Sequence, residues 1–179
     1  MRELILGGVR SGKSRLAERR AAERGGPVVY VATAEARDGT MAARIAEHRA
    51  HRPKTWRTVE ESLALAETLD HHCAEGATVV VDCLTLWLNN LLAAEADGQP
   101  DAVAAGRDAL LATLPHLPGD ILMVANETGL GVVPANPLAR RFCDEAGRLH
   151  QDLAAQCERV IWTVAGLPHV LKDTSGKAA

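Results

Sequence analysis

Residues 4–14 read Leu4-Ile5-Leu6-Gly7-Gly8-Val9-Arg10-Ser11-Gly12-Lys13-Ser14: an apolar run, then Gly-x-x-x-x-Gly-Lys-Ser, then a helical pattern over 13–24. This is a phosphate-cradling loop in the strand–loop–helix setting that gives such a match meaning. Gly7 and Gly12 let the backbone fold tightly enough for successive N–H groups to face bound phosphates. Lys13 adds positive charge over the β and γ oxygens, and the Ser14 hydroxyl can ligate Mg²⁺. The helix that follows aims its positive dipole end at the same anions. The stretch predicts a nucleoside triphosphate site.

Outward from the loop, strand and helix patterns alternate, which predicts a parallel sheet with helices packed on it. Apolar runs mark strands at 28–32, 78–82, 121–125 and 160–165, the last closing the sheet, and 56–60 reads as a short additional strand. Helical patterns fall at 40–52, 62–74, 84–95, 101–114 and 137–157, the last with Pro137 in its first turn. Buried parallel strands are continuously apolar, as these runs are. Their C-terminal ends share one edge, where open α/β sheets bind ligands. The loop 7–14, the segment from Thr33, Asp82, and Asn126-Glu127-Thr128-Gly129 should therefore converge.

The chain has 179 residues, 47% hydrophobic and 24% charged, which bounds it to one ordinary α/β domain. No apolar stretch reaches the 18 or so residues of a membrane span, and no export pattern opens the chain. Cys73, Cys83, Cys143 and Cys157 are widely spaced with no C-x-x-C pair, so reduced, mostly buried thiols are expected rather than zinc. The cytoplasm is the expected compartment. Residues 1–60 carry 13 Lys and Arg against 7 Asp and Glu, within a net charge of −3. That local excess suits a polyanionic nucleotide, although solvated helix faces would produce it too. Aromatic residues are few and do not interleave with basic clusters, so nucleic acid is not an expected partner.

Asp82, behind Val79-Val80-Val81, stands where an acid would hold Mg²⁺ opposite the loop serine; capping of the following helix is the alternative role. Over 40–52, Met41, Ile45, His48 and Arg52 fall on one helix face, with Arg44, Arg49, His51 and Lys54 around it. An imidazole near pKa 6.5 in a basic setting can attack an activated phosphorus. Spacing alone does not choose between His48 and His51. Residues 126–134 form a loop at the sheet edge, serving either substrate contact or a tight turn. Trp87 reads as core or subunit contact rather than a ligand platform.

Several of these segments together resemble the bifunctional adenosylcobinamide kinase/adenosylcobinamide-phosphate guanylyltransferase family of cobalamin biosynthesis, from Leu4 to about Lys172. The resemblance rests on residues 7–14, Val31-Ala32-Thr33, Met41-Ala42-Ala43-Arg44-Ile45 and His48. It continues through Arg52-Pro53, Trp56-Arg57-Thr58 with Glu60, Asp82-Cys83-Leu84-Thr85 and Asn126 to Pro134, and ends at Leu138-Ala139-Arg140 with Ala146-Gly147-Arg148. It implies an α/β, RecA-like P-loop NTPase fold over residues 1–172, a mostly parallel sheet with helices on both faces; the small and polar residues from Asp173 read separately as a flexible tail at 173–179. It implies phosphorylation of adenosylcobinamide by a nucleoside triphosphate, then transfer of GMP from GTP through a guanylylated histidine. His48 matches that histidine; some members carry a His pair there, where this chain has Glu47-His48.

By the same matching, Gly7, Gly8, Val9, Arg10, Ser11, Gly12, Lys13 and Ser14 hold the triphosphate, and Ala32, Thr33 and Ala34 line the nucleotide site. Arg49, Ala50, His51 and Arg52 flank the guanylylated histidine, and Glu60 and Asp82 complete the nucleotide contacts. Lys13 joins His48 as a catalytic group; Ser14 and Asp82 are the expected Mg²⁺ ligands. Glu60 could accept hydrogen bonds from guanine N1–H and the 2-amino group, which adenine would not supply. Adenosylcobinamide, its phosphate, ATP and GTP are the implied small-molecule partners, with a homo-oligomer, a trimer, as the implied assembly. The rival readings are a single-activity small-molecule kinase and a GTP-binding switch, and the latter lacks the N-K-x-D expected for guanine.

Overall fold

The phosphate-loop run forms the middle of the protein. In the structure, a computed structural model that describes residues 1–35, 53–74 and 76–176, strand β1 (Arg2–Gly7) leads through the loop into helix α1 (Lys13–Glu23). The chain continues through β2 (Val28–Ala32), β3 (Arg57–Glu60), α2 (Leu65–His72), β4 (Thr78–Asp82) and α3 (Leu84–Ala96). Next come α4 (Ala102–Thr113), a 3₁₀ turn (Leu114–His116), β5 (Asp120–Asn126), α5 (Pro137–Gln156), β6 (Arg159–Val164) and β7 (Leu167–Asp173). One sheet holds all seven strands in the order β3-β2-β4-β5-β1-β6-β7, and only the β6–β7 pairing is antiparallel.

Successive side chains of a strand point to opposite faces, and each face finds its own helices. Ile5, Tyr30, Val80, Leu122, Val124 and Ile161 meet Leu16, Ala17 and Ala21 of α1. Leu4, Leu6, Val79, Val81, Ile121 and Met123 form the larger core with α2 to α5. Trp87 is buried there and donates its indole N–H to the Leu63 carbonyl at 2.9 Å, so it is a core residue with its polar handle satisfied. Truncating it to Ala would cost about 3–5 kcal/mol. Glu3 is fully buried at the start of β1 and is ion-paired with Arg20 and, at 3.0 Å, with Arg24, which fixes α1 against the sheet. Removing either side of such a pair strands a buried charge, at roughly 3–5 kcal/mol.

Two expectations need correction. Residues 160–165 do not close the sheet, because β7 pairs beyond β6. Ala165 (φ 50°) and Gly166 (φ 80°) form the two-residue connection, the conformation of a type I′ hairpin turn. Ala-Gly is a weak signal for that turn, and Pro168 is tolerated because β7 is an edge strand with one unpaired side. Asp173 at its end takes the Arg159 guanidinium. The Ser175 hydroxyl and amide, and then Arg159, hold its carboxyl down to about 2. The second correction concerns the helix expected from residue 62, which starts at Leu65. The Glu61 carboxylate takes the N–H groups of Leu63 and Ala64 at 2.8 Å and so governs the entry. The helix expected over 40–52 lies outside the described residues.

All four cysteines are free thiols, with Cys83 and Cys157 buried. Burial pushes Cys157 up to about 12 and Cys73 and Cys83 up to about 11, from an ordinary value near 9. A thiol that keeps its proton longer in the fold than in the unfolded chain leaves stability untouched below pH 9 and lowers it above. The slope is at most about 1.4 kcal/mol per pH unit for each thiol. In urea titrations between pH 8 and 10.5, Cys157→Ala should lose stability less steeply above pH 9 than the wild type. Equal slopes would mean that Cys157 ionises as easily in the fold as out of it.

Candidate active site

The predicted groups gather along the C-terminal edge of the sheet, those of β1 and β5 two residues beyond those of β2, β3 and β4. Glu60, Ala32 and Asp82 are level with one another in β3, β2 and β4, and Gly7 is level with Asn126 in β1 and β5. Because β5 separates β4 from β1, Asp82 lies about 10 Å across the sheet from the strand that carries the loop; Glu60 lies four strand spacings from it, about 19 Å.

The loop is held by its own backbone. The Gly8 carbonyl accepts the Ser11 N–H at 3.2 Å and the Lys13 ammonium at 3.0 Å, and the Gly12 carbonyl accepts the Leu16 N–H at 2.9 Å. A side chain at Gly7 would put its Cβ 2.5 Å from both Ser11 Oγ and the Thr163 carbonyl. Gly12, at the N-cap of α1, has φ +94°, and a Cβ there would lie 3.2 Å from Gly166 Cα. Both positions therefore require glycine. Arg10 also has positive φ (55°). Val9 and Arg10 at the tip are exposed, Lys13 is buried and Ser14 is half-buried in the first turn of α1. The outer wall is the β6–β7 turn: Gly166 N–H donates to the Ser11 carbonyl at 2.9 Å.

Asp82 is half-buried, and its Oδ2 accepts the hydroxyl of fully buried Tyr30 at 2.6 Å. It does not cap α3, whose N-cap is Cys83, without any side-chain cap. Thr33 is fully buried: its Oγ1 donates to the Cys83 carbonyl (2.7 Å) and accepts the Cys83 N–H (2.9 Å). Its backbone N–H donates to the Asp82 carbonyl, and its own carbonyl accepts from Asn90. Thr33 thus clamps the turn after β4, between Ala32 and the half-buried Ala34. Glu60 ends β3, exposed. His48, Arg49, Ala50, His51 and Arg52 lie outside the described residues.

Sequence reading named the 126–134 loop without giving any one residue a task, and the structure singles out its start. Glu127 N–H donates to the Gly7 carbonyl at 3.0 Å, and its carboxylate Oε1 accepts the Gly129 N–H at 2.7 Å. Asn126 N–H donates to Thr85 Oγ1 at 2.7 Å. Glu127 and the loop residues Gly8 to Ser11 border a cavity of about 430 Å³. Nearby His150 is buried, which lowers its pKa, while the Glu127 carboxylate pulls the other way. The signal for Glu127 was available: an acid one residue beyond a buried strand that neighbours the loop strand.

Among the described residues, no three His, Cys, Asp or Glu side chains gather as a metal site, and no helix is long and apolar enough to cross a membrane. A site holding Mg²⁺ by one hydroxyl and one carboxylate, with water and phosphate oxygens completing the shell, needs no such cluster.

The fold is similar to the RadB recombinase, with a TM-score of 0.51 and 18% identity over 90% of this chain and 73% of that one. It is also similar to the Pyrococcus horikoshii OT3 protein PH0250, with a TM-score of 0.56 and 9% identity over 97% and 87%. With the loop and the strand order, this gives a P-loop NTPase fold. In sequence, the chain is 61% identical to the bifunctional adenosylcobalamin biosynthesis protein CobP of Pseudomonas aeruginosa over 96% of this chain and 98% of that protein. It is 39% identical to CobU of Escherichia coli over 92% and 96%, and 38% identical to CobU of Salmonella typhimurium over the same shares. Residues 3–171 match the family described as cobinamide kinase / cobinamide phosphate guanyltransferase, to which this chain therefore belongs.

Proposed function

We propose that this chain phosphorylates the hydroxyl on the aminopropanol arm of adenosylcobinamide with ATP or GTP. It then guanylylates itself on His48 and passes the GMP to adenosylcobinamide phosphate, giving adenosylcobinamide-GDP. The observation that carries the reading is the glycine-bound loop closed on Lys13, with only β5 between its strand and that of Asp82, in a member of a kinase/guanyltransferase family. Cytoplasmic location suits substrates that are nucleoside triphosphates.

In the kinase step, the loop N–H groups and Lys13 bind the triphosphate and draw charge from its terminal oxygens. Ser14 and the second oxygen of Asp82, whose Oδ2 is occupied by Tyr30, fit a divalent cation, which when bound would neutralise polyphosphate charge. In the transferase step, a neutral His48 nitrogen attacks the α-phosphorus of GTP and pyrophosphate leaves. An oxygen of adenosylcobinamide phosphate then attacks the same phosphorus, and the imidazole is released. Splitting the transfer in two retains the potential of GTP in a phosphoramidate. Residues 7–14, Ala32, Thr33, Ala34, Arg49, Ala50, His51, Arg52, Glu60 and Asp82 are the nucleotide contacts in this reading.

We read the protein as a homotrimer. Leu130, Val132, Val133 and Leu138 are all exposed beside the site, an apolar group of the kind a partner subunit covers.

Three outcomes follow. Incubation with GTP and Mg²⁺ should add one GMP per chain, acid-labile and mapped by mass spectrometry to His48. His48→Ala should abolish adduct and transfer while retaining phosphorylation, whereas an adduct on His51 would move the nucleophile and no adduct would leave a kinase alone. Glu60→Gln should lower the preference for GTP over ATP in adduct formation by roughly tenfold, the worth of one charge-assisted hydrogen bond; unchanged ranking would remove Glu60 from guanine recognition. Light scattering should give about three times the chain mass, and Val132→Glu should shift it towards one.

A further inference from the structure

The kinase step removes a proton from the acceptor hydroxyl, and none of the groups above is assigned to take it. We propose that Glu127 is that base, and that the cavity beside it receives the hydroxyl-bearing arm. The proposal rests on the kinase reading above.

The geometry begins at Lys13. In a loop of this type the lysine reaches the β and γ phosphates. Here its ammonium lies 3.0 Å from the Gly8 carbonyl, so the terminal phosphate belongs at the Gly8 end of the loop rather than at the α1 end. Gly8, Val9, Arg10 and Ser11 form one side of the 430 Å³ cavity and Glu127 lies on another. Glu127 is tied to the loop by its N–H bond to the Gly7 carbonyl. Its carboxylate is pinned by Gly129 N–H through Oε1, which leaves Oε2 to accept a proton. Glu127 is the one carboxylate among the described residues lining this cavity.

The remaining lining suits an aliphatic alcohol. Leu130, Trp162, Val164 and Ala165 are apolar. Ser11 Oγ and Thr163 Oγ1, both in residues that line the cavity, are buried without hydrogen-bond partners. Buried hydroxyls without partners are uncommon and mark places where a ligand or water completes the bonding. A short carbon arm ending in a hydroxyl matches an apolar mouth with polar groups at its inner end. Asp82 does not line this cavity and has one oxygen held by Tyr30, and Glu60 stands three strands from β5, so neither competes for the proton.

The step balances simply. The acceptor oxygen forms a bond to Pγ, the bond from Pγ to the β–γ bridging oxygen breaks, and the nucleoside diphosphate departs with that electron pair. The hydroxyl proton passes to Glu127 Oε2.

Glu127→Gln preserves the shape and an oxygen for Gly129 N–H while removing the base. With adenosylcobinamide and ATP, kcat for phosphorylation should fall on the order of 10²- to 10⁴-fold. GMP-adduct formation from GTP, and transfer to adenosylcobinamide phosphate supplied directly, should remain within about twofold of the wild type. Glu127→Ala should lose phosphorylation equally and regain part of it with added formate. A Glu127→Gln enzyme that phosphorylates within threefold of the wild type overturns the assignment, as does a parallel loss of both activities, which would make Glu127 a support of the loop. If the wild type itself forms adduct but no phosphorylated product, the kinase reading falls and the base with it.

Discussion

The active-site edge depends on the seating of one loop against one hairpin turn. Gly7 passes so close to Ser11 and Thr163 that no Cβ fits, Gly12 lies against Gly166, and Gly166 N–H holds the Ser11 carbonyl. The loop carbonyls at Gly8, Ser11 and Gly12 are each taken, by Ser11 N–H and the Lys13 ammonium, by Gly166 N–H and by Leu16 N–H of α1, so the loop's shape is held by its own backbone and by the hairpin turn. The β6–β7 hairpin is therefore a structural support of the loop 7–14, through backbone rather than side chains. A Cβ at Gly166 meets nothing within 4 Å, so crowding does not explain that glycine; its positive φ does.

The interior strands were readable because burial on both faces leaves little but Val, Ile, Leu and Ala in them, and β1, β2, β4, β5 and β6 appeared where expected. The edge strand was not. β7 is exposed on most residues and contains Pro168 and His169, so its pairing rests on backbone bonds to β6 that leave no apolar signature. The loop 7–14 and Asp82 were legible because their chemistry is local: each follows an apolar strand directly. Tyr30 was not, and of Glu127 only its place at the edge was, since the contacts of both come from register. Tyr30 lies two residues before the end of β2, yet its hydroxyl reaches Asp82 in the next strand, and Glu127 meets Gly7 only because β5 pairs with β1.

Tyr30 couples the site to the body of the protein. Its ring is fully buried among the residues under α1 and stacks on Trp56, with centroids 6.5 Å apart, while its hydroxyl fixes one oxygen of Asp82. An acid at a strand end would otherwise choose among rotamers. Here the phenol selects one, and the selection is backed by the packing that stabilises the sheet. Thr33 does the same for the backbone after β4. Neither residue needs to touch a substrate to matter for the positions of groups that do.

The same register bears on whether a single edge can serve two reactions. Glu60, Ala32 and Asp82 are level across three strands, and Gly7 lies two further strands on and two residues beyond their row, a reach of about 19 Å across the sheet that, in the proposed reading, leaves room for base recognition at one end and phosphate chemistry at the other. The chain leaves this edge after Ala34 and Glu35 and re-enters the sheet at Arg57, which is level with Val29. In the reading proposed above, position along this edge, rather than a second site elsewhere, separates phosphoryl transfer at the Gly8 end from guanylyl transfer.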